Sequence, residues 1–160
     1  MSEYGIILGI VEVHGMTTRN VGPLDGANKS RLGLLSLLDR LYGQSSMDGY
    51  KVITDKTEIL VLIDNGQCCC EQWGYLCSED EPTDYIGAEL LKVELTDVAL
   101  NKEKVEKTAQ YGFDGGGIQF VDFVTIKGVF QLAVYNAHNG YYGHGIAVAI
   151  GDMVLHEDTL

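Results

Sequence analysis

Lysine and arginine are scarce in this sequence, proline is almost absent, and no apolar run is long. The 11 basic residues face 23 acidic ones, so the net charge is −12. Affinity for nucleic-acid backbones comes from basic side chains that neutralise phosphates. Non-specific nucleic-acid binding is therefore not expected. The charges of residues 1–56 cancel, which leaves room for a local anion site there.

No apolar segment approaches the ~20 residues that a membrane-spanning helix needs. The first residues lack a basic region and carry Glu3, so they predict a strand and not a signal peptide. Clustered cysteines without an export signal favour a reducing compartment and free thiols. We expect a cytoplasmic protein, in the host cytosol if a phage encodes it, with no membrane partner.

Alternating apolar residues predict an antiparallel sheet. The predicted strands are residues 3–14, 50–54, 58–64, 88–95, 118–126, 129–135 and 146–155. Short turns at Asp55-Lys56 and Lys127-Gly128 make two hairpins of four of these strands. Residues 67–77 are ambiguous, and residues 101–110 favour a helix only weakly.

Residues 29–42 predict the main helix, between Asn28 as N-cap and Gly43 as the C-terminal stop. Its apolar stripe is Leu32, Leu35, Leu38, Leu41 and Tyr42. A stripe at spacings of three and four faces a core. The fold class is therefore α+β: a mostly antiparallel β-sheet with one main amphipathic helix packed on a face, in a single domain of residues 1–160.

Three consecutive cysteines stand in the stretch GQCCCEQWGY, residues 66–75. A structural zinc site prefers two cysteines two to four residues apart. An extended triplet instead turns Cys69 away from Cys68 and Cys70. A zinc set would therefore also need Cys77 and a distant histidine, His138 or His144.

Redox chemistry at the triplet would favour a C-x-x-C motif at a helix start, which is missing. Glu71 beside the thiols would also disfavour the thiolate. Free cysteine is commonly a small buried hydrophobe, so packing in a strand buried on both faces is the third interpretation, and the favoured one. We predict neither a metal nor a cofactor.

The stretch GPLDGANKS, residues 22–30, resembles a phosphate loop but has Pro23 and Asn28 where that motif requires glycine. Backbone N–H groups at the helix start, with Arg19 and Arg31 nearby, remain candidates for holding an anion. A capped helix with solvated basic residues is the alternative.

The stretch YNAHNGYYGHG, residues 135–145, combines aromatic faces with polar groups, as small-molecule pockets do. Its candidate ligand-binding residues are Asn136, His138, Asn139, Tyr141, Tyr142 and His144, and Trp73 is a further stacking candidate. A loop that covers a sheet edge is the alternative. Catalytic motifs are missing from the sequence, so we predict no catalytic residues.

Several of these motifs resemble a group of small uncharacterised phage, clostridial and bacillar proteins. The matching residues are Gln67, Cys69, Cys70, Glu71, Gly74 and Tyr75, then residues 84–91, Thr96 and Asp97, and residues 135–144. The resemblance covers about the last two-thirds of the chain. Cys68 departs from the cysteine doublet of that group, which implies a permissive position.

In its size, its acidity and its aromatic loop at residues 135–145, the chain is also similar, more loosely, to the Thoeris anti-defence sponges. That analogy implies a non-catalytic homo-oligomer that sequesters a nucleotide-derived immune signal, of the cyclic ADP-ribose or cyclic oligonucleotide type. Two alternatives stay open: an acidic protein that inhibits a host protein partner, and a metal-dependent or cysteine/histidine hydrolase.

Overall fold

A computed structural model describes residues 1–16, 46–108, 113, 115–138 and 140–160 of the chain. These ranges contain nine strands, one α-helix and a 3₁₀-helix at Pro82–Tyr85. The strands are β1 (Ile7–Met16), β2 (Met47–Thr54), β3 (Glu58–Asp64), β4 (Gln72–Cys77), β5 (Leu90–Thr96), β6 (Gly117–Thr125), β7 (Gly128–Ala137), β8 (Gly145–Ile150) and β9 (Met153–Thr159). The helix, α1, is Lys102–Thr108.

The strands form two antiparallel sheets. One has five strands in the order β1-β2-β3-β8-β9, and the other has four in the order β4-β7-β6-β5. We predicted the strands as members of one sheet. The division into two arises because β3 pairs with β8, whereas β4 pairs with β7. Strand alternation alone does not specify these pairings between distant segments.

Apolar side chains from both sheets form one core cluster. Val61 and Val148 contribute from the five-stranded sheet, and Phe123 and Phe130 from the four-stranded sheet. The rings of Phe123 and Phe130 stack with centroids 4.9 Å apart. The two sheets therefore pack face to face, because each has one apolar face that is stable only away from water.

Helix α1 packs on the outer face of the four-stranded sheet. Val105 of the helix contacts the small cluster that contains Leu76, Phe120 and Ala133. This arrangement confirms the α+β class, with mostly antiparallel sheet. The predicted helix at residues 29–42 lies outside the described residues, as does the stretch at residues 22–30 that resembles a phosphate loop.

Both predicted hairpins are confirmed. Strands β2 and β3 pair around Asp55 and Lys56, and strands β6 and β7 pair around Lys127. The prediction of one strand over residues 146–155 is wrong, because Gly151 turns the chain with φ 62° and makes a hairpin of β8 and β9. Glycine adopts that left-handed conformation without strain.

The prediction of a buried strand at the cysteine triplet is also wrong. Cys68, Cys69 and Cys70 precede β4 and are exposed, whereas Cys77 at the end of β4 is buried. The chain curls here because the Glu71 carboxylate accepts hydrogen bonds from the backbone N–H groups of Cys68 and Cys69. In the described ranges, no helix is long and apolar enough to cross a membrane.

Candidate ligand-binding site

A surface cleft of about 530 Å³ lies where both sheets approach α1. Its aromatic and charged lining consists of Glu12, Tyr50, Tyr75, Glu79, Asp80, Lys104 and Tyr135. We call it the tyrosine cleft. Its volume lies within the roughly 300–1,000 Å³ that is usual for small-molecule sites.

The three tyrosines of the cleft come from three different strands. The rings of Tyr50 and Tyr75 meet edge to face, with centroids 5.2 Å apart and an angle of 85° between their planes. Tyr135 lies across Gly74, where a Cβ atom would stand only 2.5 Å from the tyrosine hydroxyl. The Tyr135 ring can therefore occupy this position only because Gly74 of β4 has no side chain.

The phenol groups of the cleft stay neutral over a wide pH range. Burial raises the pKa of Tyr50, and the neighbouring Cys77 and Glu12 raise it further. Burial also raises the pKa of Tyr75 and of Tyr135. Among the described residues, the hydroxyls of Tyr50 and Tyr135 have no hydrogen-bond partner, so both are open to a ligand.

The charged groups of the cleft are mostly negative. Glu12, Glu79 and Asp80 bring three carboxylates, and Lys104 brings the one ammonium group that the described residues contribute to the lining. Lys104 Nζ lies 3.1 Å from Asp80 Oδ1, and the Asp80 side chain is 95% exposed. The local field therefore attracts cationic groups and hydrogen-bond donors.

His14 adjoins the cleft and holds Tyr75 in place. Its Nδ1 lies 3.2 Å from the Tyr75 hydroxyl. The ring stands between two carboxylates, with 3.4 Å from Nε2 to Glu12 and 3.6 Å from Nδ1 to Asp48. These contacts are on opposite ring nitrogens, so Glu12 and Asp48 do not converge with His14 on one metal position.

A second polar group is buried between the beginnings of β4 and β8. We call it the Glu71–His144 cluster and define it by Gln67, Glu71, Trp73 and His144. His144 Nε2 lies 3.0 Å from Glu71 Oε1, and both side chains are at most 1% exposed. His144 Nδ1 lies 2.5 Å from the Asp64 carbonyl oxygen. Both ring nitrogens thus face acceptors, so both donate.

The Glu71 carboxylate is ionised within this cluster. Burial opposes ionisation, but hydrogen bonds from His144 and from the N–H groups of Cys68 and Cys69 outweigh it and lower the pKa of Glu71 to about 2. A carboxylate that accepts several such bonds is strongly stabilised in its charged form. Glu71 and His144 therefore form a buried ion pair.

Trp73 covers this ion pair. Its indole ring stacks on the His144 ring with centroids 5.7 Å apart and 21° between the planes. Its Nε1–H donates to Gln67 Oε1 at 2.8 Å. Gln67 in turn donates to the carbonyl oxygens of Cys69 and Glu71. The side chains of the cluster therefore satisfy one another, and the cluster serves as structure.

The predicted ligand-binding residues are divided between the interior and the surface. Asn136 is fully buried and donates to the carbonyl oxygens of Tyr142 and Leu160. His138 accepts the N–H of Gly140 at its Nδ1. Tyr141 is 83% exposed, and its ring meets that of Tyr142 edge to face. Their contact with a ligand stays a prediction.

Three further predicted residues, Arg19, Arg31 and Asn139, lie outside the described residues. The fold brings Trp73 and His144 together, but their rings stack on each other. The exposed Cys69 thiol lies beside Cys70 and Tyr142 and raises the pKa of each. Within the described ranges, no group of three or more His, Cys, Asp or Glu side chains is placed to hold a metal ion.

Sequence reasoning missed the tyrosine cleft, because its residues are far apart along the chain. One signal was present. Trp73, Tyr75 and Cys77 alternate along β4, so their side chains point to the same face of the sheet. Tyr50 was included in a predicted strand without any prediction of a binding role.

A family model described as "Domain of unknown function (DUF7448)" matches residues 9–148, which is most of the chain. The match includes the cleft residues from Glu12 to Tyr135 as well as the Glu71–His144 cluster. No curated protein and no solved structure matches the chain.

Proposed function

We propose that this chain, which belongs to the DUF7448 family, is a non-catalytic protein that binds and sequesters a small nucleotide-derived ligand. The observation that carries the proposal is the tyrosine cleft, with three aromatic rings around a volume of about 530 Å³. Rigid aromatic faces with a few polar groups are the usual lining of such sites.

The base of the ligand enters the cleft and the phosphates stay outside. Tyrosine rings stack on bases, and each such contact contributes roughly 1–3 kcal/mol. The carboxylates of Glu12 and Glu79 accept hydrogen bonds from ribose hydroxyls or from exocyclic amines. They also repel phosphates, which would meet the ammonium group of Lys104 instead.

Binding without catalysis is favoured by where the acid and base groups lie. Glu71 and His144 form a close pair of titratable groups, but their side chains are at most 1% exposed and already hydrogen-bonded to each other. A general base must reach the proton that it removes. The hydrolase alternative would therefore need other groups.

The motif resemblance and the looser analogy to anti-defence sponges extend this proposal. They support a phage-type protein that acts in the host cytosol, as a homo-oligomer, on an immune signal of the cyclic ADP-ribose or cyclic oligonucleotide type. A sponge of this kind returns its ligand chemically unchanged.

A second candidate function, inhibition of a basic host protein, is favoured by the acidic surface beside the cleft. Glu79, Asp80, Glu81 and Asp84 surround a recess of about 470 Å³. The Lys127 ammonium in this recess donates to the backbone carbonyls of Asp84 and Ile86. Complementary charge of this kind speeds association with a basic partner.

Thermal unfolding with a panel of nucleosides, cyclic oligonucleotides and ADP-ribose isomers tests the proposal, because a ligand that binds only the folded state raises Tm. We expect Tyr75→Leu to abolish the shift and Tyr141→Leu, at an exposed position, to preserve it. The reverse pattern would indicate that the ligand binds at the loop of residues 135–145 and not in the tyrosine cleft. Mass spectrometry of the released ligand must show it intact, since a degraded ligand would indicate an enzyme.

A further inference from the structure

The charges of the tyrosine cleft select among nucleotide-derived ligands. We infer, resting on the proposed function, that the part of the ligand inside the cleft is a positively charged heteroaromatic ring, such as a base alkylated at a ring nitrogen. The same cleft would hold a neutral base less tightly. The inference follows from the distribution of carboxylates, aromatic faces and hydroxyls around the cavity.

Two carboxylates of the cleft lack a permanent counterion. Lys104 is engaged by Asp80, at 3.1 Å. Among the described residues, no lysine or arginine pairs with Glu12 or Glu79, and the one cationic candidate near Glu12 is His14. A cation that enters the cleft therefore gains attraction from Glu12 and Glu79 without first breaking an ion pair.

The aromatic rings of the cleft also favour a positively charged ligand. A cation over a tyrosine face is attracted by the ring quadrupole, by about 0.5–1 kcal/mol when exposed and about 2 kcal/mol or more when desolvated. Tyr50 is only 7% exposed, and it meets Tyr75 at a near-perpendicular angle. A flat cation inserted here lies against one ring face and beside the edge of another.

The hydroxyls of Tyr50 and Tyr135 also favour a cation over a phosphate. Each hydroxyl offers one donor and two acceptor positions, and neither has a partner among the described residues. Neutral phenols stabilise a cation through their oxygen lone pairs. A phosphate in the cleft would face Glu12 and Glu79, and the ammonium group of Lys104 that could bind it is already engaged by Asp80.

Matched pairs of nucleosides isolate the charge of the ring. The probes are 1-methyladenosine, a cation at neutral pH, against adenosine, and nicotinamide riboside against its neutral dihydro form. Isothermal titration at low salt is expected to show each cation binding roughly tenfold more tightly or better, the factor that about 1.4 kcal/mol provides. Added salt should reduce that ratio, because exposed charges are screened.

Neutral variants of the carboxylates test the source of the preference. Glu12→Gln and Glu79→Gln should each weaken the binding of the cation more than the binding of adenosine, and so reduce the ratio of cation to neutral affinity several-fold. Asp152→Asn is the matched control, since it changes net charge equally at an exposed turn between β8 and β9. It should leave the ratio unchanged.

The outcomes separate this inference from the proposed function. If adenosine and 1-methyladenosine bind the cleft equally, or adenosine binds more tightly, the inference is wrong and the proposed function stands. If no nucleoside or nucleotide of either charge binds, both are wrong. A cation preference that survives both Glu12→Gln and Glu79→Gln would also overturn the inference.

Discussion

Glu71 and His144 form an ion pair of 3.0 Å although 73 positions separate them in the sequence. Glu71 immediately precedes β4, the edge strand of the four-stranded sheet, and His144 immediately precedes β8 of the five-stranded sheet. The pair therefore links the two sheets at one end of the core. Because both side chains are buried, neither has water as a replacement partner, and the loss of either one leaves a buried polar group unsatisfied.

Replacement of Glu71 with glutamine is expected to lower the free energy of unfolding by about 1–3 kcal/mol. Glutamine has nearly the same shape, but its amide group would face an N–H donor of Cys69 or of His144. Urea unfolding followed by far-UV circular dichroism measures the loss. Glu81→Gln, at an exposed position, is the control and should change stability by no more than about 0.5 kcal/mol. Equal stability of the two variants would show that the pair contributes nothing.

The contribution of Glu71 to stability should disappear in acid. Its pKa in the folded protein is lowered from the ordinary 4.5 to about 2, so its stabilisation is fully present above pH 4.5. It is lost as the pH falls from 4.5 through 2, where the folded state must also take up the proton. The difference in urea midpoint between wild type and Glu71→Gln should therefore shrink as the pH falls from 4.5 towards 2. A difference that grows in acid would contradict this assignment.

Local sequence patterns predicted the hairpins correctly. Strands β6 and β7 lie on either side of Ile126-Lys127, and Gly128, the first residue of β7, has φ 133°, a conformation that favours glycine. The turn and the alternation are both contained within neighbouring residues. Pairing such as that of β3 with β8 depends instead on segments that are far apart in sequence, and no short pattern encodes it.

The Glu71–His144 cluster was only partly predictable. Gln67 and Glu71 belong to the motif that carries the family resemblance, Trp73 was a stacking candidate, and the structure joins all three in one hydrogen-bonded group. The partner of Glu71 did not stand out, because His144 was assigned to a ligand-binding loop. The exposed cysteines were mispredicted because the sequence does not show that Glu71 accepts two backbone N–H groups.

The accessibility of the cysteines provides a direct test of the loop before β4. Cys68, Cys69 and Cys70 are exposed, whereas Cys77 is buried and burial raises its pKa. Brief treatment of the native protein with iodoacetamide should add three adducts, and a fourth should appear only in denaturant. Intact-mass spectrometry counts them. Triplet thiols that react only in denaturant, as Cys77 is expected to do, would show that the stretch is buried after all.

A control variant locates the protected thiol. Cys77→Ala should give three adducts in the native and in the denatured protein alike. A fourth adduct in native wild type would mean that the end of β4 opens readily. Because Cys77 also lines the tyrosine cleft, a bound ligand should slow its modification further.

Replacement of Gly74 with alanine is expected to damage the tyrosine cleft more than the fold. The new methyl group would stand 2.5 Å from the Tyr135 hydroxyl, too close for any real contact, so the ring must move away. A side chain can move more easily than backbone, and we therefore expect a loss of stability of about 1–3 kcal/mol. Ligand binding should weaken at least tenfold, a change that isothermal titration measures. Tyr135→Leu is the matched variant: if the displaced ring causes the loss, then Gly74→Ala should add little in the Tyr135→Leu background, and a fully additive loss would contradict this explanation.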